Sequence, residues 1–521
     1  MAIVQYGSVN TNALIVPGVT VQIVPPSIVN LNGVPTNGLG IVGTASWGPV
    51  NTPTVVGDLS GYTSTFGPVE NRKYDAGTQV ATAVLQAANN FTIVRVTDGT
   101  DVAASSVFQV ANTNAVTLTA TSTGSYGDNI AFSFNTGSKA STIKVLVQVP
   151  SVASETYDNL PSTGTLFWPA LVDAINHGNT NYALSQSPSK LVSATVGTST
   201  TAPTTDGSWH NLTGGTDGAT SANATTLIGS DATPRTGMYA LRKQNVTLGI
   251  LADADTSTVW STQAAFGLQE GIYWIATTPS GDTISNAATT RVSAGLDSPW
   301  VKLMFGDWLY WSDATNSVTR LVSPQGFIGG LLANLAPNES TLNKPIYGIA
   351  GSQKAGISTS GAATVYSDAE IQALLLAGLD VVANPSPGGA YWAAKGGQNS
   401  SSSANVNGDN YTRMTAYIAL TLNTGTGIYI GAPITSTLLL NVQSTLTHFL
   451  SNMQSQGLIS VQEDGSLPYT VKVTKANNPQ TRTSLGYVQA DVQVVYEAIT
   501  KFLLANVEGG QTVITTVNQA A

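Results

Sequence analysis

The chain has no cysteine in its 521 residues. That excludes a disulfide frame and any thiolate metal site. Charge is the second shortage. Asp, Glu, Lys and Arg make up 9% of the chain, against roughly 25% in an average globular protein. A surface this poor in charge lacks like-charge repulsion, and it suits faces that neighbours cover. The net charge is −9 and no Lys/Arg cluster exists, so the electrostatic footprint of a nucleic-acid binder is missing. No window reaches the roughly 18 uninterrupted apolar residues of a membrane span. The N-terminus lacks the positive stretch of a secretory signal, so assembly in a cytosol is expected. Histidine occurs three times, at His177, His210 and His448. These lie in different segments, and no G-x-S-x-G or H-E-x-x-H accompanies them.

The shortage of charge is sharpest at the ends. The first charged residue is Asp58, and nothing after Glu508 is charged. Both ends are β-branched and polar, whereas ordinary termini are charged and disordered. They read as strands without a partner in their own sequence neighbourhood.

Apolar residues make up 42% of the chain, enough for several cores, and the length implies roughly three or four domains. Residues 1–18 read as an arm closed by Pro17-Gly18. In 19–100, Val19, Val21 and Ile23 alternate at strand period, "LGIVGTAS" and "FTIVRVTD" are strands, and Asp75–Asn90 has helical spacing. From 101 to 224, Thr/Val-rich runs bounded by Gly and Asn predict an inserted antiparallel β domain. From 225 to 365, strand and helix patterns alternate as in a layered α/β domain, with "WVKLMFGDWLYWSD" read as one strand. In 366–508, Ser367 and Glu370 mark a capping box. Leu438, Val442, Leu446, Phe449 and Met453 form a helical stripe ending at Gly457, and "YVQADVQVVYEAI" alternates as a strand. Residues 509–521 read as a second arm. The predicted fold class is α+β multidomain: an inner domain from both terminal segments, two inserted domains and extended terminal arms.

Gly38-Leu39-Gly40-Ile41-Val42-Gly43 matches the dinucleotide fingerprint G-x-G-x-x-G. The fingerprint needs a strand before it and a helix opening on its last glycines. Here a turn precedes, and Pro49 and Pro53 follow. The reading is a strand whose glycines let backbones approach closely. Asp253 and Asp255 end a strand where α/β folds often bind ligands, but Asp255-Thr256 also reads as ordinary helix capping. Trp300, Phe305, Trp308, Tyr310 and Trp311 read as a two-faced core, with sugar stacking as the alternative. "NPSPGGAYWAAKGG" lacks the lysine-serine/threonine ending of a phosphate loop and reads as a structured turn. No catalytic set, cofactor or metal is expected.

The ordered set of segments resembles the contractile tail sheath proteins of myophages and related injection machines. It comprises "VPGVTVQIVP", "GIVGTASWGPVNTPTVV" and "FGP", then "SPQGFIGGLLANLAPNESTLNKPIYGI", then "YTRMTAYIALTL" and "GYVQADVQVVYEAI". The family often carries paired arginines where Tyr411-Thr412-Arg413-Met414 stands. The resemblance implies a virion tail sheath subunit, assembled in the host cytoplasm. It would polymerise on itself around a tail tube, meet baseplate and tail terminator proteins, and contract to drive the tube through the host envelope.

It also implies that terminal arms add strands to neighbouring sheets. Ile3, Val4, Leu14, Ile15, Val16, Val513, Ile514 and Val517 are the expected inserting residues, and Pro17, Gly18, Gly509 and Gly510 the expected hinges. An arm of 16 extended residues reaches roughly 50 Å, and main-chain pairing supplies affinity without charge. Two other readings remain: a β-rich cell-surface adhesin or surface-layer protein, and a hydrolase built on Asp253, Asp255 and His210.

Overall fold

The computed structural model describes residues 4–6, 21–23, 31–178, 187–357 and 365–507. Its centre is a six-stranded sheet in the order Val301–Met304, Tyr273–Thr277, Leu248–Leu251, Leu39–Gly43, Phe91–Arg95, Thr54–Val56. The first five strands are parallel, and Thr54–Val56 closes the edge antiparallel to Phe91–Arg95. These five parallel strands are buried at every position, as expected for strands covered on both faces.

Alternate side chains enter two cores. Leu39, Ile41, Phe91, Ile93, Leu248, Ile250, Tyr273 and Ile275 pack with helices Ala76–Val84 and Gln325–Asn334. On the other face, Val42, Val94, Leu251, Trp274, Val301 and Leu303 pack with helix Trp260–Glu270.

This sheet corrects the expected division at residue 225. Leu39–Gly43, from the first segment, pairs directly with Leu248–Leu251 from the third, so the segments 19–100 and 225–365 share one sheet. Each strand is legible by itself, but the pairing joins positions that a whole inserted domain separates. A second correction concerns residues 300–313. They form two strands in two sheets, Val301–Met304 and Leu309–Asp313. The chain turns between them at Gly306, where a Cβ would lie 1.9 Å from the Pro279 carbonyl oxygen.

The insertion is antiparallel throughout. Ala153–Pro161, Thr142–Val149, Ala131–Thr136 and Trp209–Asn211 form one sheet; Val192–Val196, Thr113–Ala120 and Ser105–Val110 form the other. It also contains a helix, Gly164–His177, absent from the all-strand expectation, which packs Phe167, Trp168 and Leu171 into the same core. The chain enters and leaves this domain side by side, with Val102 bridged to Thr216 and Ser105 to Thr213. Arg95 lies at the crossing, fully buried, and donates to the carbonyls of Gly48, Thr123 and Asp217.

The C-terminal segment forms its own unit. Helices Asp409–Gly425 and Ser436–Ser455 and the hairpin Tyr469–Lys472/Asp491–Val494 enclose a core that includes Met414, Tyr417, Leu446, Phe449 and Met453. Leu439, rather than Leu438, is the buried leucine at the start of the helical stripe. Leu31 and Val34 join this core from the N-terminal segment.

Candidate interaction surface

The predicted arm residues can be placed only in part. Ile3, Leu14, Ile15, Val16, Pro17, Gly18, Gly509, Gly510, Val513, Ile514 and Val517 lie outside the described residues. Val4 belongs to strand Val4–Tyr6, which pairs in parallel with Val21–Ile23 of the same chain. The sequence reading expected no nearby partner there, so this is a correction: the backbone finds one 17 positions on, the distance between Val4 and Val21. Parallel pairing cannot be made by a tight turn, and the hairpin signals sought in the sequence do not report it.

Both chain ends meet the body on helix Asp409–Gly425. At its C-terminal half, the Val34 amide donates to Thr421 Oγ1 at 3.1 Å, and Leu31 packs where a Cβ on Gly425 would come within 2.3 Å of it. At its N-terminal half, Asn410 Nδ2 donates to the Glu497 carbonyl at 2.9 Å, and the Tyr411 and Tyr496 rings meet edge-on at 5.8 Å. From 498 to 507 the described chain has neither strand nor helix, and Phe502, Leu503, Leu504 and Val507 are 85–93% exposed. Four large apolar side chains in water mark a surface that something else covers. This uncovered stretch begins seven residues before position 509, where the sequence reading placed the arm. Its signal was the run "FLLANV" between Lys501 and Glu508.

Beside this exit lies a groove of about 970 Å³, with Asn405, Asn407, Asn410, Tyr411 and Thr470 in its walls. Its lining mixes amides, hydroxyls and aromatic rings with aliphatic side chains such as Leu342, Val492 and Val494, and with Glu497 and Lys501. The amides and hydroxyls can take up main-chain groups, and the aliphatic side chains can receive apolar ones.

An ionic cluster joins helix Asp409–Gly425 to the central sheet. The Lys302 ammonium donates to Asp380 at 2.6 Å, to Asp409 at 3.1 Å and to the Gln398 carbonyl at 3.1 Å. All three charged side chains have zero exposure. Asp409 also accepts from Tyr273 Oη at 2.7 Å and Thr341 Oγ1 at 2.6 Å. Asp380 takes the amides of Val381, Gly396 and Gly397. Burial by itself would depress the lysine, but the two facing carboxylates outweigh it and hold Lys302 above its ordinary range. Burial pushes Asp409 up; the Lys302 charge and the Thr341 and Tyr273 hydrogen bonds outweigh it and bring the carboxyl below its ordinary range. One turn on, Arg413 donates to the carbonyls of Leu335 and Ala336, and burial lowers it to about 10.

The remaining candidates are structural. A Cβ on Gly38 would sit 2.2 Å from the Asn245 carbonyl oxygen, one on Gly40 2.8 Å from Val246 Cγ1, and one on Gly43 2.8 Å from the Tyr74 carbonyl oxygen. These three glycines serve close packing. Asp253 is buried and accepts from Gln79 Nε2 at 2.9 Å, while Asp255 pairs with Lys73 at 2.9 Å. His210 packs among Phe108, Phe132 and Phe134, and His177 pairs with Asp173. Phe305 and Trp311 enter opposite cores. The 384–397 stretch is a turn and hairpin, with Val382–Ala383 paired to Ala393–Ala394. Among the described residues, no three His, Asp or Glu side chains gather as metal ligands.

No family model and no curated protein matches this chain. Solved structures do. The sheath tail protein from Desulfitobacterium hafniense is 15% identical, covering 87% of this chain and 92% of its own, with a TM-score of 0.56. That from Listeria innocua is 14% identical, covering 84% and 89%, at 0.58. The PVC sheath complex of an extracellular contractile injection system, in its contracted state, is 10% identical and covers 95% and 98%, at 0.54. These neighbours are sheath proteins rather than enzymes. Over 84–95% of its length, this chain has the fold of the sheath proteins of tails and contractile injection systems.

Proposed function

We propose that this chain is the structural subunit of a contractile tail sheath. It polymerises helically around a tail tube and shortens to drive that tube through a host envelope. The observation that carries this reading is fold likeness to sheath proteins over 84–95% of the chain. The terminal segments link the copies. Residues beyond Val495, with Phe502, Leu503, Leu504 and Val507 uncovered, add to the sheet of an adjoining copy at its Tyr469–Lys472/Asp491–Val494 hairpin. The N-terminal arm, with Ile3, Leu14, Ile15 and Val16, does the same from the other end, while Val4 pairs with Val21 of its own chain. Val513, Ile514 and Val517 extend the C-terminal strand, and Pro17-Gly18 and Gly509-Gly510 let the bodies swing.

The partners are other copies of this chain, the tail tube protein, and the baseplate and tail terminator proteins at the two ends. The place of action is the virion or device tail, after assembly in the host cytoplasm. Negative-stain electron microscopy of the purified chain tests the reading. Hollow striated cylinders are expected, and their loss when residues 502–521 are removed from a chain that remains folded. A persistent monomer under all polymerising conditions, or normal cylinders from the truncated chain, would overturn the sheath or the linkage respectively.

A further inference from the structure

We infer that the buried Lys302–Asp380–Asp409 cluster is the joint that fixes the C-terminal helical unit on the central sheet, and through which pull on the C-terminal segment passes into the body of the subunit. This rests on the sheath reading above and adds the path that force takes inside one copy.

The exit segments of both chain ends grip one helix. The N-terminal segment holds Asp409–Gly425 at Thr421 and Gly425, and the C-terminal segment holds it at Asn410, Tyr411 and Thr415, the last through Tyr496 Oη at 3.2 Å. The N-terminal segment also enters the central sheet directly, at strand Leu39–Gly43 five residues after Val34, whereas the C-terminal segment bears on this helix. Little of the helix's apolar face touches the sheet body, where Leu420 lies against Gly271. Met414, Tyr417 and Ile418 pack into the C-terminal unit's own core, which shares no member with the two cores of the central sheet.

At the N-terminal half of the helix, what connects it to the sheet is polar. At the helix start, Asp409 receives Lys302 and Tyr273 from two adjacent sheet strands. Thr412 Oγ1 donates to the Pro299 carbonyl at 2.6 Å, and Arg413 donates to the Leu335 and Ala336 carbonyls at the end of the Gln325–Asn334 helix.

The chemistry suits a joint. Apolar surfaces in contact are non-directional and can shift past one another, whereas hydrogen-bonded charges hold one geometry and lose their compensation when it changes. Burying three charges is costly, and well-packed apolar residues commonly serve stability as well or better. In a chain with 9% charged residues, an interior lysine between two carboxylates, each satisfied by further donors, fits a requirement for fixed orientation.

The absence of cysteine makes the test direct. Ser285, exposed on helix Ile284–Ser293 of the sheet body, and Ser451, exposed on helix Ser436–Ser455, are replaced by cysteine and spin-labelled. Electron–electron double resonance then measures their separation in the free subunit and in cylinders diluted with unlabelled copies. The parent protein is expected to give one narrow distance distribution in both. The charge-free variant Lys302→Met/Asp380→Asn/Asp409→Asn is expected to fold cooperatively and form cylinders, because its terminal segments are untouched. Its distribution should be at least twice as wide, and the amides of Val381, Gly396 and Gly397 should exchange hydrogen at least 10-fold faster.

An unchanged width in the folded variant overturns the joint. If that variant does not fold, Thr341→Val, which removes one donor to Asp409 and leaves every charge, is read the same way: broadening supports the joint and an unchanged width refutes it. Failure of the parent chain to form cylinders counts against the sheath reading instead, and the free-subunit distances still report on the joint.

Discussion

Replacing Gly38 by alanine tests whether the G-x-G-x-x-G stretch is a packing device or a ligand loop. The new Cβ would lie 2.2 Å from the Asn245 carbonyl oxygen and 3.3 Å from Val246 Cα. The first distance is more than about 1 Å short of ordinary contact, and the obstacle is backbone, which has no rotamer to change. Strand Leu39–Gly43 must move away from Leu248–Leu251. The Gly38 carbonyl accepts from the amides of Thr247 and Leu248, both at 3.0 Å, so these bonds stretch with it. Overpacking costs about 1–3 kcal/mol, and two weakened hydrogen bonds cost about 0.5–1.5 kcal/mol each. The expected loss is about 2–6 kcal/mol, a large share of the roughly 5–15 kcal/mol that holds a domain folded. Gly427→Ala is the control: nothing lies within 4 Å of its Cβ position, and a compatible Gly→Ala change stabilises by about 0.4–1 kcal/mol. Urea unfolding monitored by tryptophan fluorescence compares the two, with melting temperatures measured with and without a nicotinamide dinucleotide. A Gly38→Ala protein within about 0.5 kcal/mol of the parent, or a parent whose melting point rises with the dinucleotide, would refute the packing argument.

Three further outcomes follow from the same geometry. Burial raises the Asp75 carboxyl to about 7 against the opposing hydrogen bonds from Thr78, so the folded state keeps a proton that the unfolded chain has released. Its contribution is full below about pH 4 and fades as pH rises through about 7. Three units correspond to at most about 4 kcal/mol, so Asp75→Asn should flatten the fall in stability between pH 4 and 7 and be the more stable protein at pH 8. Parallel pH profiles in urea titrations would contradict this. Lys302→Met alone leaves Asp380 and Asp409 facing each other without their cation, and should cost about 3–5 kcal/mol in the same assay. The triple charge-free variant should lose less, and the reverse order would refute the pairing. Cylinder formation should change little between about 0.05 and 0.5 M salt, because links made by main-chain groups and apolar side chains are weakly screened; turbidity that collapses over this range would implicate charge.

Local chemistry was legible in the sequence, and distant pairing was not. The Ser367/Glu370 capping box is present as read. Gly457, with φ of +72°, follows the last turn of Ser436–Ser455, where the Leu458 amide returns to the Met453 carbonyl at 3.0 Å. Both signals are complete within a few residues. Strands Leu39–Gly43 and Phe91–Arg95 were also readable, since a buried parallel strand is a short apolar run. Their partnership with Leu248–Leu251 was hidden, because no local pattern records which strand lies next to which. The Lys302 cluster was hidden for the same reason: Asp380 and Asp409 lie 78 and 107 positions from it. The uncovered Phe502–Val507 stretch was available but was absorbed into the preceding domain, since apolar residues ordinarily mean core.

The scarcity of charge and its placement make one argument. Where the C-terminal helices meet the central sheet, the contact includes Lys302 between Asp380 and Asp409, with Arg413 one turn on. Where the inserted β domain meets it, the contact includes buried Arg95 and the ion pair of Arg72 with Asp217. Ions thus stand at both junctions between units of one chain, while residues 1–57, 414–462 and 509–521 carry no charged residue at all. Under the sheath function proposed above, the subunit must keep its own units in register and also bind many identical copies, which are two different problems. Directional, desolvated charges solve the first, because a displaced buried ion has nothing to compensate it. Uncharged segments solve the second, because like charges repeated on every copy of a helical polymer would repel one another at each contact.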